Sequence, residues 1–327
     1  FVLLARALQG TPVESGLREA LPTCVVHAAP FEHVPPVAVL TAAAAAADCG
    51  ADLVVAVGGG SALDTAKGLR YALAAGLTSP DALLPAMSAS QVPGAPLLPQ
   101  ISLPTTLSGA EYTRSFSATD REREDKRSLT LNALASTAIV YDPQLTAFTP
   151  EPLWLGSGLV ALDHALEVYV CAAPHPVADA LKERAARTLW AELPATRGSD
   201  SAPLRLDCQL AAWMVDHSPL RTRAAGAAGT PWSHLLAYDL AALTGLSYAH
   251  TAALTLPNAL RELAREPGCA ARIRSLERVL GVYAPLADAV ETWIRQLGLP
   301  TSAAAVGLDA TMLTRVASAA ARRGGVD

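Results

Sequence analysis

The sequence predicts an α/β domain built on a parallel sheet, followed by an all-α domain. Up to about residue 150, short apolar runs alternate with helix-like segments, as in parallel sheets that helices cover on both faces. Beyond that point every periodic segment has helical spacing. We therefore expect a Rossmann-like parallel-sheet domain over residues 1–150 and a bundle of antiparallel helices over residues 151–327.

The strands of the first domain are predicted from continuous apolar segments. In chain order these are FVLLA, TCVVHA, DLVVAVGG, LPQISLPTT and STAIVYDP. Helices are predicted between them, in ESGLREAL, VAVLTAAAAAADCG and SALDTAKGLRYALAAG. The abundance of alanine in two of these segments favours helix.

The second domain is predicted from six segments with helical periodicity and proline or glycine separators. They are GLVALDHALEVYVCAA, VADALKERAARTLWAEL, LRLDCQLAAWMVDH, SHLLAYDLAALTGL, IRSLERVLGVYAPLADAVETWIRQLG and MLTRVASAAARR. The boundary between the domains is expected in TAFTPEPLWLGSG, which contains two prolines and two glycines.

Composition excludes several classes of protein. A net charge of −5 offers no basic face for nucleic acid or anionic lipid. No apolar stretch is long enough to predict a membrane span. The five cysteines are scattered without a C-x-x-C pair, which argues against a disulfide framework and a zinc knuckle and indicates a reducing cytoplasm. The sequence starts in an apolar strand without Met, so we expect residues to be missing there.

A glycine-rich turn, GGGSALDTAK, opens the third predicted helix. Gly58, Gly59 and Gly60 lack Cβ, so the backbone can turn sharply and approach an anion. The first N–H groups of the helix and the positive end of its dipole then point at that anion. Ser61 is expected to cap the helix and to donate its hydroxyl, with Asp64 in the first turn. These features are typical of a phosphate site.

The same turn also fits a tight connection that binds nothing. Its spacing matches neither G-x-G-x-x-G nor the phosphate-loop pattern G-x-x-x-x-G-K-[ST]. A standard dinucleotide fingerprint and an ATPase loop are therefore not indicated, and the glycines alone leave both interpretations open.

Four stretches, in order, resemble the iron-containing (group III) alcohol dehydrogenase family. GGGSALDTAK is similar to its signature G-G-G-S-x-x-D-x-A-K, and LPTTLSGAEYT to its segment P-T-T-x-x-G-[ST]-E. VYDPQLTAFTP resembles the inter-domain linker, and GLVALDHALEVYV the helix G-M-[DN]-A-[LI]-x-H-A-[VIL]-E-[AS]. The resemblance covers most of the chain and is closest to the maleylacetate reductase branch. It implies the fold shared with dehydroquinate synthases, here without an N-terminal β-hairpin and a short C-terminal tail.

By this resemblance the glycine turn would hold the pyrophosphate of NAD or NADP. Thr105 and Thr106 would contact the phosphate and nicotinamide side of the cofactor, and Lys126 would approach the nicotinamide ribose. Two hydroxyls at the carboxyl end of a parallel strand are well placed for a ligand. The residues alone also allow plain strand termination after Pro104 and a solvated lysine in the charged turn DREREDKR.

Arg6 bears on the choice between the two cofactors. Many relatives that use NAD carry an aspartate just after the first core strand, where this chain has Arg6. A guanidinium suits a 2′-phosphate better than free ribose hydroxyls because of its charge and fork geometry. The residue therefore favours NADPH over NADH.

The metal site of the family is incomplete in this chain. By the resemblance, metal-dependent members bind iron or zinc through one aspartate and three histidines of the helical domain. His164 and His234 occupy two of these positions, but Val160 and Tyr248 occupy the other two. Asp163 points about 100° around the helix from His164 and cannot substitute. Because a catalytic divalent metal takes about three protein ligands, we expect no tightly bound metal.

The resemblance implies an NAD(P)-dependent oxidoreductase that passes hydride to an activated alkene or carbonyl, in a cleft between the domains. Imidazole can donate a proton or stabilise an oxyanion without a metal. We expect His164 and His234 to do so, with Tyr248 and His250 as further candidates. A histidine satisfied within the core remains the alternative for His164.

Two other functions remain open. Dehydroquinate synthases show that a relative can use the cofactor transiently, so this chain could catalyse a cyclisation, elimination or isomerisation in a biosynthetic pathway. It could also be a catalytically silent binding or scaffold protein, although the retained GGGS, PTT and Lys126 argue against that. Relatives are often dimers or larger, which makes a homodimer with a small-molecule substrate one expectation for the chain.

Overall fold

The strands of the first part of the chain form a parallel sheet and a separate hairpin. The computed structural model describes residues 1–30, 34–120, 123, 125–216 and 232–324. Its strands are β1 (Val2–Leu4), β2 (Val26–Ala28), β3 (Val54–Gly58), β4 (Gln100–Pro104), β5 (Ser115–Asp120), β6 (Asp125–Thr130) and β7 (Ala138–Ile139). The sheet has the order β2-β1-β3-β4-β7 and every pairing in it is parallel. This confirms the predicted parallel sheet.

Both faces of the sheet are buried, which explains the continuous apolar character of its strands. Leu3 and Ala56 point to one face, into a core shared with helices, and Val2 and Val57 point to the other. Side chains alternate along a strand, so each of these short strands contributes to two cores at once.

Helices cover the sheet. They are α1 (Pro12–Ala20), α2 (Pro36–Asp48), α3 (Gly60–Ala75), α4 (Pro80–Ser88) and the short α5 (Pro143–Thr146). The first three match the predicted helices, whereas α4 was not expected; it contains Pro85 within its length.

The antiparallel hairpin of β5 and β6 was also not expected. Its register pairs Ser115 with Thr130 and Asp120 with Asp125. Phe116 contributes to the core against α3, where it lies beside Tyr71, but most of the hairpin is polar. The charged turn DREREDKR joins the two strands, and residues 121, 122 and 124 of it lie outside the described residues.

The second part of the chain is helical, as predicted, with no strand in its described residues. Its helices are α6 (Glu151–Cys171), α7 (Pro176–Glu192), α8 (Ala202–Asp216), α9 (Trp232–Thr244), α10 (Tyr248–Leu263), α11 (Pro267–Leu280), α12 (Leu286–Gln296) and α13 (Ala310–Gly324). The predicted end of α8 at His217 lies outside the described residues.

Two details of this helical part differ from the sequence prediction. The long segment from Ile273 to Gly298 is two helices, because Gly281 adopts φ +68° at the end of α11 and Pro285 precedes α12. Helix α10 was not expected, and it carries Pro257 in its interior.

The chain divides into two compact units, Phe1–Thr149 and Pro150–Asp327. In the second unit α6 is buried along almost its whole length, and its Trp154 donates its indole N–H to Thr196 Oγ1 at 2.9 Å. None of the helices in the described part of the chain combines the length and apolar character that a bilayer crossing requires.

Candidate functional site

The glycine turn lies at the carboxyl edge of the sheet, where the strand order reverses. The chain passes from β1 outward to β2 and then returns to β3 on the other side of β1. Ligands of open α/β sheets bind beyond the carboxyl ends of the strands at such a switch point. Ala5 N–H donates to Val57 O at 2.8 Å and Thr105 N–H to Gly58 O at 3.0 Å, so the ends of β1, β3 and β4 meet here.

Side chains pack so closely around the turn that only glycine fits. Gly58 has φ +152°, and a Cβ there would lie 2.7 Å from the Cβ of Ala5. A Cβ on Gly59 would lie 2.8 Å from Thr106 Cγ2, and one on Gly60 would lie 3.2 Å from Ser108 Oγ. The absent side chains let Thr106 and Ser108 pack against the start of α3, and we call these hydroxyls together with the first backbone amides of the helix the cradle of the turn.

The structure corrects the expected roles of Ser61 and Asp64 within the helix. The N-cap of α3 is Gly59, which has no side chain, and the helix begins at Gly60. Ser61 is therefore the second helical residue and its hydroxyl makes no cap hydrogen bond. Asp64 lies beyond the first turn, so it gains less from the helix dipole than expected.

Asp64 is instead bound by a buried lysine. Lys67 Nζ lies 3.1 Å from Asp64 Oδ1 and also donates to Thr113 Oγ1 at 2.7 Å and to Ser115 O at 2.9 Å. Burial lowers the pKa of Lys67, and the charge of Asp64 partly offsets that effect. The lysine thus ties α3 to the segment that follows Thr106, which makes it part of the support of the turn.

Thr105 and Thr106 follow the end of β4 and are both buried. Thr149 Oγ1 donates to Thr105 O at 2.8 Å, and Thr106 Oγ1 lies 3.3 Å from Ser108 Oγ. The structure therefore brings both threonines to the glycine turn. It also adds Ser108, which sequence reasoning missed because it stands at a variable position of the P-T-T-x-x-G pattern.

Arg6 and Lys126 are both exposed. Arg6 begins a single 3-10 turn and directly follows Ala5, which packs against Gly58 at this sheet edge. Lys126 pairs with Thr119 in the hairpin, and its positive charge lowers the pKa of Asp64 against the larger effect of burial, which raises it. Arg6 therefore follows the strand whose end meets the turn, and Lys126 lies close enough to Asp64 of α3 to affect its pKa.

In the second unit three predicted residues come together, and we call them the histidine–tyrosine cluster: His164, His234 and Tyr248. His234 Nδ1 lies 3.2 Å from His164 Nε2 and 2.7 Å from the Tyr248 hydroxyl oxygen. Burial, followed by the charges of Asp163 and Glu167, raises the pKa of Tyr248 well above its usual value. The phenol therefore keeps its proton and can donate it to Nδ1, which leaves the proton of a neutral His234 ring on Nε2.

Two buried carboxyl groups lie behind this cluster on α6. Asp163 Oδ2 accepts the Ser233 hydroxyl proton at 3.0 Å, and Ser233 Oγ lies 3.0 Å from Thr255 Oγ1. Burial and the neighbouring Glu167 raise the pKa of Asp163 well above its usual range. Burial also raises the pKa of Glu167, to about 7, although two backbone N–H groups oppose the shift. Sequence reasoning had noted only that Asp163 points away from His164.

His250 is not part of the cluster. It lies two residues beyond Tyr248 on α10, and its backbone N–H donates to Ser247 Oγ at 3.3 Å as part of the helix N-terminus. Within the described residues no hydrogen bond joins its imidazole to the cluster. Its role as a further catalytic candidate stays a prediction.

The donor set of the cluster does not fit a divalent metal. The cluster offers two imidazole nitrogens, 3.2 Å apart, and its third group is a protonated phenol, which is a poor ligand. Val160, at the position of the expected aspartate, packs against Ala237 and Ala252. No group of three histidine, cysteine, aspartate or glutamate side chains in the described ranges could hold a metal ion.

The fold and the turn together define a class: an α/β domain of the dinucleotide-binding type followed by an all-α domain. The chain belongs to the iron-containing alcohol dehydrogenase family, which is a family of oxidoreductases. Residues 6–143 match its model "Iron-containing alcohol dehydrogenase", and residues 155–326 match "Fe-containing alcohol dehydrogenase family, C-terminal". The family resemblance found in the sequence is thereby confirmed.

Known relatives agree with this assignment. Maleylacetate reductase 1 of Rhodococcus opacus is 32% identical over 279 residues, which are 83% of this chain and 66% of the relative. The crystal structure of maleylacetate reductase from Agrobacterium tumefaciens superposes with a TM-score of 0.72 at 25% identity, covering 98% of this chain and 82% of that one. Sulfoacetaldehyde reductase from Bifidobacterium kashiwanohense, solved in complex with NAD+, shares the fold with a TM-score of 0.79 at 21% identity, covering 98% and 84%.

Proposed function

We propose that this chain is an NAD(P)H-dependent reductase that acts on a carbon–carbon double bond conjugated to a carbonyl, or on a carbonyl itself. The observation that carries the proposal is the cradle at the switch point, where Gly59 and Gly60 pack against Thr106 and Ser108. The similarity to maleylacetate reductases and the NAD+ complex of a fold relative support it.

The residues of the first unit fit a dinucleotide. Backbone N–H groups at Gly59, Gly60 and Ser61 would hold its pyrophosphate, since the first amides of a helix lack acceptors inside the helix. The hydroxyls of Thr105 and Thr106 would contact its phosphate and nicotinamide side, and Ser108 would join them. Lys126 and Asp64 would lie near its nicotinamide ribose. When bound, the reduced cofactor supplies a hydride.

The histidine–tyrosine cluster would supply the proton that such a reduction needs. Tyr248 retains its proton and holds His234 Nδ1, so the exposed His234 can offer its Nε2–H outward. A positioned imidazole can protonate the carbon next to a carbonyl or stabilise the negative oxygen of an enolate. His164 would help to orient the ring from the same side as Tyr248, since both lie against Nδ1.

We propose that this chemistry takes place without a metal. The support is the donor set, in which Val160 is apolar and the third group beside the two imidazoles is the phenol of Tyr248. The preference for NADPH, through Arg6, is proposed on the ground of its charge and its position after β1. The homodimer and the cytoplasmic compartment expected from the sequence stay predictions.

The test is a spectrophotometric screen at about 340 nm, where reduced nicotinamide absorbs. Purified protein is mixed with NADPH or NADH and with maleylacetate, short aldehydes or quinoid compounds. The proposal predicts oxidation of the cofactor with at least one of these substrates, faster with NADPH. Failure to bind either nucleotide would contradict the proposal and favour the silent scaffold.

A second candidate function uses the cofactor without net reduction. The cluster has lost the carboxylate position of the metal-dependent relatives but retains three groups suited to moving protons. Nucleotide binding without turnover of any activated alkene or carbonyl would favour a cyclisation, elimination or isomerisation in which the cofactor acts only transiently.

A further inference from the structure

Helix α9, which carries His234, begins against a carboxyl group of another helix. The first amide groups of a helix have no acceptor inside it. Glu167 on α6 supplies both acceptors: one oxygen accepts the Ser233 N–H at 2.5 Å and the other accepts the His234 N–H at 3.1 Å. Glu167 is only 2% exposed, so water does not compete for these hydrogen bonds.

The first turn of α9 is also held through a side chain. Ser233 Oγ donates to Asp163 Oδ2 on α6 and lies 3.0 Å from Thr255 Oγ1 on α10. Ser233 is fully buried, whereas the neighbouring His234 is exposed. The backbone at His234 is therefore anchored from within, while its imidazole is directed outward.

Glu167 also lies on the helix that supplies the partner of His234. It follows His164 by three residues on α6, so the same helix holds the backbone of His234 through Glu167 and contacts its ring through His164. A shift of the first turn of α9 would change the distances from Nδ1 to His164 and Tyr248 together.

We propose that Glu167 is the positioning residue of His234, a role that rests on the proposed function of the cluster in proton delivery. Its two oxygens fix the first turn of α9 so that Nδ1 of His234 meets both His164 Nε2 and the Tyr248 hydroxyl. Without it the ring loses its alignment although the dinucleotide turn in the first unit is untouched.

The test compares Glu167→Gln with Glu192→Gln in protein labelled with ¹⁵N-histidine. Glutamine keeps one acceptor oxygen but turns an NH₂ group towards the second backbone N–H. Glu192 is the matched control, a carboxyl of the same unit whose hydrogen bond is with Asp207. The backbone and ring signals of His234 are identified by their loss in His234→Gln, among the seven histidines of the chain.

In Glu167→Gln we expect the backbone amide signal and the ring nitrogen signals of His234 to move together, with no change in the control. We expect kcat to fall about tenfold, as misplaced catalytic groups cost, while the Kd of NAD(P)H is unchanged. Glu167→Ala removes both acceptors, and we expect its kcat to be lower still. If Glu167→Ala does not fold, Glu167→Gln alone tests the proposal.

The positioning role is overturned if the amide signal moves while the ring signals stay, or if kcat is unchanged in an active enzyme. Unmoved amide and ring signals would overturn it as well. A wild-type protein that reduces no substrate would contradict the proposed function. The NMR signals are recorded without substrate, so they would still decide the role of Glu167.

Discussion

The two units of this chain have kept different parts of the family's machinery. In the first unit every residue of the glycine-turn motif is present, and Gly59 and Gly60 pack against Thr106 and Ser108. In the second unit two of four expected metal-ligand positions hold Val160 and Tyr248, and the imidazoles of His164 and His234 lie 3.2 Å apart. The two units thus keep different shares of the family's sequence pattern.

The difference has a physical basis. The turn depends on missing side chains and backbone amides, so few substitutions there are tolerated without steric conflict. The second site depends on donor atoms, so an apolar side chain in place of a carboxylate is expected to lower metal affinity while it can still pack well. Tyr248 then gains a new partner, because its hydroxyl reaches His234 Nδ1.

The largest expected effect is on kcat, and it distinguishes the role of the second unit from that of the first. His234→Ala should lower kcat about a hundredfold to ten-thousandfold, the usual range for a lost general acid, and leave the Kd of NADPH unchanged. Steady-state kinetics and fluorescence titration measure the two quantities. His175→Asn is the control, because asparagine can replace the capping role of His175 on α7. A hundredfold weaker NADPH affinity in His234→Ala would contradict this separation.

The next effect concerns the first unit. Gly59→Ala places a Cβ against Thr106 and should weaken NADPH binding by about tenfold to a hundredfold, which corresponds to the cost of overpacking. Gly16→Ala on α1 is the matched control, because no atom lies within 4 Å of the added Cβ. Titration of nicotinamide fluorescence checks both variants; equal affinities in the two would show that the turn does not touch the cofactor.

A smaller effect appears in the pH dependence of stability. The pKa of Glu167 is raised to about 7, so the folded state binds its proton more tightly than the unfolded chain does. The stabilisation is complete below the ordinary value of 4.5 and is lost as the pH rises through about 7, by roughly 3 kcal/mol. Urea unfolding at several pH values should show wild type losing stability relative to Glu167→Gln over this window. A wild type that gains stability relative to Glu167→Gln as the pH rises would contradict this sign.

The smallest expected effect concerns cofactor choice. Arg6→Ala should reduce the preference for NADPH over NADH by about fivefold, since an exposed ion pair contributes little. Arg18→Ala, which removes an exposed arginine of the same unit, controls for the change in net charge. If the ratio of the Kd values for NADPH and NADH is the same in Arg6→Ala as in the wild type, the 2′-phosphate does not bind at Arg6.

The sequence predicted the elements whose patterns are strong and local. The continuous apolar strands β1 and β3 and the long helix α6 were found because extensive burial leaves an apolar run in the sequence. The hairpin of β5 and β6 was missed because its strands are mainly polar and only a few of its side chains, such as Phe116, enter the core. Helix α10 was missed because Pro257 interrupts its pattern.

The residues of the candidate site could be predicted only where a family motif fixes the position of the functional side chain. His164, His234 and Tyr248 were found by counting along family motifs, and the structure brings them together. Glu167 and Ser233 were not found, because their roles depend on how α6 and α9 pack and on which backbone amides lie opposite. Such contacts between distant segments leave no spacing signal in one sequence.

The most direct test of the central claim is the metal content of protein purified without chelator, measured by elemental analysis. The account predicts iron and zinc far below one ion per chain, and the same low content in His164→Ala. The double variant Val160→Asp/Tyr248→His, which restores the family's ligand types, provides the positive control. Near-stoichiometric iron or zinc in the wild type that disappears in His164→Ala would contradict the account.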